Sequence, residues 1–252
     1  MKVTAIGSSL QILNCGKQGG LQRYTLIGIF NMNAYNSTRL YSLGEDIANG
    51  ITHGVGIVLA ISGLCVLITF ASIYGNAWHI VSCSIFGATL VFSYTASTLY
   101  HSIQLPRAKR VFRVLDHAAI LLLIAGTYTP FTLVNLRGPW GWSLFGVIWG
   151  LAVLGILLQT TMPHKWALFS VGFYVAMGWA VLVAIKPMLS GVEIGGLVLL
   201  LLGGVAYTAG IVFYVWRRMP YNHAIWHVFV LIGSVLHFFA ILFYVIPVRT
   251  YT

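Results

Sequence analysis

His223 and His227 stand four residues apart in the segment His223-Ala-Ile-Trp-His227. On a helix this spacing puts both imidazoles on one face, with Cβ atoms about 5–6 Å apart, so that they can share one metal ion. The same pattern also serves as polar glue between membrane helices, so its meaning depends on what else reaches the same place. His101 and Asp116 are the candidates for that, and Ser97, four residues before His101, shares that histidine's face one turn away. Neutral imidazoles around a metal with one position left open form the arrangement zinc uses for chemistry. A water bound there is acidified to a pKa of about 7, and a nearby carboxylate orients it or takes its proton. Asp116 is the candidate carboxylate, either on the metal itself or hydrogen-bonded to its water. His223-Ala-Ile-Trp-His227 lacks the glutamate of the HExxH zinc proteases, so a general base has to come from another helix. The Ser97 hydroxyl has two readings: a contact to the water or to a substrate carbonyl, or a bond to the carbonyl four residues back.

The elements that must position these groups follow from composition. Of 252 residues 59% are hydrophobic and only 7% are charged, with a mean hydropathy of +0.89, so lipid has to be the main solvent. Crossing about 30 Å of hydrocarbon takes about 20 apolar residues. Spans are expected at 47–73, 78–101, 113–136, 140–160, 166–188, 194–216 and 223–246, joined by short turns rich in Gly, Pro and Asn. The fold class is therefore all-α, a bundle of seven transmembrane helices. Alternate loops differ sharply in basic residues. Lys2, Lys17, Arg23, Arg39, Arg107, Lys109, Arg110, Arg113, Lys165, Arg217 and Arg218 fall on the side of the N-terminus, against Arg137, Lys186 and Arg249 on the other. Eleven against three predicts a cytoplasmic N-terminus and a C-terminus on the opposite side. That topology brings His101, Asp116, His223 and His227 to one membrane depth, which a chance scatter of histidines would not do.

An ionisable group at a helix centre costs about 2.5–3.5 kcal/mol to insert, so each needs a partner or a function. Glu45, Asn49 and His53 recur every four residues and form a polar stripe entering the membrane at the start of the first span. They are expected to hydrogen-bond the metal's ligands from outside or to pair helices. His117 points about 100° away from Asp116 and is not expected in the site. His79 and His164 lie at span ends, where solvation at the interface is the simpler reading, and His237 reads as a core residue with a hydrogen bond. Gly126, Gly150, Gly155, Gly203, Gly204 and Gly233 are expected at close helix approaches. The three cysteines form no CxxC pair and receive no role. The net charge of +10 is spread between apolar runs and not gathered on one face, which argues against nucleic acid as a partner and for membrane lipids. Residues 1–38 read as a disordered lead, with Met32 a candidate for the natural start of translation.

The chain resembles the haemolysin III family, the bacterial branch of the progestin and adiponectin receptor superfamily, over about residues 41–246. The likeness rests on Glu45-x3-Asn49-x3-His53, on Ser97-x3-His101 followed by Asp116, and on His223-x3-His227. Ala125-Gly-Thr-Tyr-Thr-Pro-Phe131 and Tyr221-Asn-His-Ala-Ile-Trp-His227 add to it. The resemblance implies seven helices, a cytoplasmic N-terminus in the cell membrane, and an intramembrane zinc held by His101, His223 and His227 with Asp116 on its water. It also implies kinship with membrane hydrolases that include alkaline ceramidases, hence a lipid amide or ester as substrate.

Three functions are thereby set against one another. The first is a zinc-dependent lipid hydrolase with Asp116 and Ser97 as catalytic residues. The second is a regulator or sensor of membrane lipid state without turnover. The third, cytolysis by pore formation, is what the family's name suggests, but uniformly apolar spans without a cleavable signal argue against it.

Overall fold

The computed structural model describes residues 2–6, 9–13 and 41–247, which fall into two units, one up to Ser42 and one from Leu43 onwards. In the first unit, Lys2–Ile6 (β1) and Ser9–Leu13 (β2) pair antiparallel, Lys2 opposite Leu13 and Ile6 opposite Ser9. The rest of the expected lead, including Met32, lies outside the described residues.

The second unit is helical throughout. Its elements are α1 (Leu43–Tyr74), α2 (Ala77–Ser102), α3 (Pro106–Pro130), α4 (Pro139–Thr161), α5 (Pro163–Trp179), α6 (Ile185–Gly191), α7 (Ile194–Val215) and α8 (Asn222–Tyr244). Seven stretches among the described residues are long and apolar enough to cross a membrane, as the composition required. α3, α4 and α5 each begin with proline, whose missing N–H costs nothing in the first turn. The third helix therefore starts at Pro106, earlier than the apolar run alone suggested, because its basic first turns are helical too. Gly138, at φ 144, makes the tight turn into α4 that only glycine takes easily.

Two spans depart from simple helices, each at a proline. Pro130 is followed by a π-helical turn over Phe131–Asn135, where Thr132 Oγ1 donates to the carbonyls of Tyr128 and Thr129. The fifth span is broken by a 3₁₀ segment at Ala180–Ala184 ahead of Pro187, which cannot donate back to Val183 and crowds its carbonyl. Tyr128 bridges this break: its hydroxyl donates to the Gly178 carbonyl at 2.7 Å and accepts from the Val181 N–H at 2.9 Å.

Burial is inverted relative to a water-soluble protein. Val58 (65%), Ile73 (65%) and Ile194 (74%) face outward, whereas Asn49, Thr129 and His227 are fully enclosed. Such a surface is stable only against lipid, and the polar interior is what the bundle has to hold together. α1 packs on α2, α2 on α3, α7 on α8, and α1 on α8, where Glu45 and Thr52 in the first turns of α1 reach Tyr221 and His227 at the start of α8. Small residues permit this: a Cβ on Gly126 would run into Thr89, on Gly203 into His237, and on Gly233 into Tyr207. Gly204 makes only ordinary contact with Trp179 and Gly150 faces open space, so neither is a close approach. Gly203→Ala forces the buried His237 ring to move and is expected to destabilise by about 1–3 kcal/mol. A thermal midpoint in detergent that does not fall would refute this.

Candidate metal centre

His101 lies in the last turn of α2, while His223 and His227 lie in the first turns of α8. One ligand atom from each of the three lies within 4.8 Å of the other two. All three are buried, at 1%, 7% and 0% exposure, and their ring centroids are 4.5–5.4 Å apart. A tetrahedral zinc with Zn–N bonds of about 2.0–2.1 Å needs its nitrogens about 3.4 Å apart, within reach of small ring movements.

The surroundings fix how these rings present themselves. His101 Nδ1 lies 3.0 Å from Asp46 Oδ1, and so close to a carboxylate it has to carry the proton and donate it. Asn49 Nδ2 lies 3.3 Å from the same nitrogen. Thr52 Oγ1 donates to the carbonyls of Ala48 and Asn49 and, 3.2 Å from His227 Nδ1, accepts from that ring. Each ring then presents Nε2 toward a shared metal position, and Nε2 of His227 is buried without a hydrogen-bond partner. The donor set therefore fits a metal ion such as zinc: three imidazoles, two of them oriented through their second nitrogen.

Asp46 escaped the sequence reading, which followed the stripe Glu45, Asn49, His53. It is 3% exposed, and its other oxygen, Oδ2, accepts from Lys109 Nζ at 2.8 Å. Asp46, Asn49 and His53 follow one another by three and four residues, so they too share a helix face, and that spacing was the available signal. A carboxylate that holds a ligating histidine is worth about 10–100-fold in metal affinity. Asp46→Asn is expected to weaken metal binding at the three histidines by that factor, read by competition with a chelating dye; unchanged affinity would remove Asp46 from the site.

The other expected residues are distributed as follows. His53, 3% exposed, stacks on His227 at 3.5 Å between centroids with the planes 11° apart, and neither of its ring nitrogens has a hydrogen-bond partner. Glu45 reaches elsewhere: its Oε1 accepts the Tyr221 backbone N–H at 3.2 Å. Tyr221 is the one non-glycine residue at positive φ among the described residues, and its hydroxyl lies over Gly44. Asn222 Nδ2 donates to the carbonyls of Phe213 and Tyr214 at the end of α7. Glu45 and Asn222 thus pin the turn that delivers His223.

Asp116 is not part of the three-histidine group. Its carboxylate neighbours His101, Arg113 and Ser97, and lies 3.9 Å from His117 Nδ1. Ser97 is 1% exposed, approaches Asp116 without completing a hydrogen bond, and does not bond back to its own helix. His117 Nδ1 donates to the Arg113 carbonyl at 2.8 Å and lies 3.9 Å from Asp116, outside the three-histidine group. His79 differs from expectation. It is buried, and its Nδ1 accepts the Asn76 N–H at 3.2 Å in the cap of α2. His237 is a core residue whose Nε2 donates to the Leu200 carbonyl at 3.2 Å. The side chain of His164 lies outside the described residues.

Fold and site together define a multi-pass membrane protein with a buried cluster of three histidines able to coordinate a metal. Residues 41–238 match the family model described as haemolysin-III related. The chain is 48% identical over 203 residues to "Hemolysin-3" of Bacillus cereus, covering 81% of this chain and 93% of that protein. It is 45% identical to the "Hemolysin-3 homolog" of Bacillus subtilis (strain 168), over 83% of this chain and 98% of that one. Human "Monocyte to macrophage differentiation factor" is 29% identical over 78% of the chain and 83% of its own length. The chain belongs to the haemolysin III family, in keeping with residence in a bacterial cytoplasmic membrane.

Proposed function

We propose that the protein is a zinc-dependent hydrolase of the membrane interior, acting on a lipid amide or ester. The observation that carries this reading is the convergence of His101, His223 and His227, a set of three protein ligands that leaves a fourth position for chemistry. When bound, zinc supplies a Lewis acid that acidifies water and polarises a carbonyl oxygen. Asp116 orients the attacking water and takes its proton. Ser97 steadies that water or the substrate carbonyl through its hydroxyl. Water adds to the carbonyl carbon, the C–N or C–O bond breaks, and the proton held by Asp116 passes to the leaving amine or alcohol. Asp46 and Thr52 keep the imidazoles of His101 and His227 in the tautomer that ligation needs. Buried among helices, the site favours a substrate that arrives through the bilayer. The excess of basic residues at its end of the bundle favours the cytoplasmic side for that end.

The test is reconstitution of zinc-loaded protein in vesicles containing lipid amides and esters, with products followed by mass spectrometry. Free fatty acid released in molar excess over protein, and lost in His223→Ala, is the expected result. Zinc-loaded protein that leaves every lipid intact would replace hydrolysis with regulation of membrane lipid state without turnover.

A further inference from the structure

The first turns of α3 carry four cations, and the fold divides them between two faces. Lys109 turns inward to Asp46 at 2.8 Å, whereas Arg113 is exposed but close enough to Asp116 to act on its charge. Arg107 and Arg110 are exposed, and among the described residues neither has a carboxylate partner. By the helical repeat they share their face with Val111, Val114 and Leu115. These five residues line an open hollow of about 500 Å³ on the outside of the bundle. The hollow itself is lined almost wholly by apolar atoms, the stems of Arg107 and Arg110 near the start of the helix at Pro106 and then exposed valines, 59% and 40% accessible, one and two turns deeper; the two guanidinium groups, without a carboxylate partner among the described residues, belong to its Pro106 end by sequence position.

We infer that this hollow holds one anionic phospholipid, with its phosphate on Arg107 and Arg110 and an acyl chain along Val111, Val114 and Leu115. Guanidinium groups pair with phosphate oxygens through a planar fork of N–H donors, and basic residues at a membrane surface favour anionic over neutral lipid. A small free anion would use only the arginines and a neutral lipid only the valines, whereas an anionic diacyl lipid uses both ends. The site is separate from the metal centre, whose carboxylates take the cations of the other face.

The experiment is native mass spectrometry of the purified protein given phosphatidylglycerol and phosphatidylcholine of identical chains. Wild type is expected to retain phosphatidylglycerol about tenfold better. R107Q/R110Q is expected to bring the two lipids to parity, and the milder R110Q to lose about threefold. R217Q/R218Q removes the same charge from exposed positions in the turn after α7 and is expected to keep the preference. Four results would overturn the site: equal retention of both lipids by wild type; no loss in R110Q; a loss in R217Q/R218Q matching that in R107Q/R110Q, which would mean diffuse surface charge; or displacement by inorganic phosphate at the same concentration, which would mean a free-anion site. Zinc content, unchanged in all these variants, reports that they are folded.

Discussion

Replacing His223 with alanine is expected to take purified protein from about one zinc per chain to less than about a tenth of that. Three imidazoles make up the whole cluster of close ligand atoms among the described residues, so no fourth protein group stands ready to replace one that is lost. Removing His223 also leaves His101 and His227 facing a gap where their partner stood, 5.1 and 4.5 Å away between ring centroids. Because a ligand that binds only the folded state raises its stability, chelation should lower the thermal midpoint of wild type and leave that of the variant unchanged. Zinc retained by His223→Ala at wild-type stoichiometry would return the histidines to the role of polar contacts between helices.

The second large effect separates holding the metal from using it. Asp116→Asn keeps the size of the side chain and removes its capacity to take a proton. Since Asp116 stands outside the three-histidine group, the variant should keep its zinc. Turnover on a lipid found by the vesicle assay should fall by about 10²–10⁴-fold, the usual worth of a positioned general base. Full activity with zinc in place would mean that the proton goes elsewhere, and His117, 3.9 Å from Asp116, would be the next group to test. Loss of zinc and activity together would make Asp116 a ligand.

What could be read from the sequence, and what could not, follows the range of the interactions involved. Seven spans are legible because lipid imposes a composition on every residue that faces it, and because a span has a minimum length. The meeting of His101 with His223 and His227 is legible because alternating topology fixes depth, although the residues lie far apart in the chain. Asp46 was legible only in part: its spacing to Asn49 and His53 fits a helix face as Glu45's does, but its partners are His101 and Lys109, and only the packing of α1 against α2 and α3 shows which of two adjacent acids turns inward. Glu45, one residue away, points about 100° round the helix and holds Tyr221 instead. The break in the fifth span had a visible cause in Pro187, but its repair by Tyr128 is a contact between distant parts of the chain. His79 shows that an apparent span-end histidine can be a buried cap, since Asn76 and His79 are three residues apart.

The geometry converges on one centre, and one spectrum tests it directly. X-ray absorption at the zinc edge of the purified wild-type protein should show, at about one zinc per chain, three imidazole nitrogens and one oxygen at about 2.0–2.1 Å. A protein that binds no stoichiometric metal, or a spectrum without imidazole scattering, would contradict a three-histidine zinc centre and with it the proposed hydrolysis.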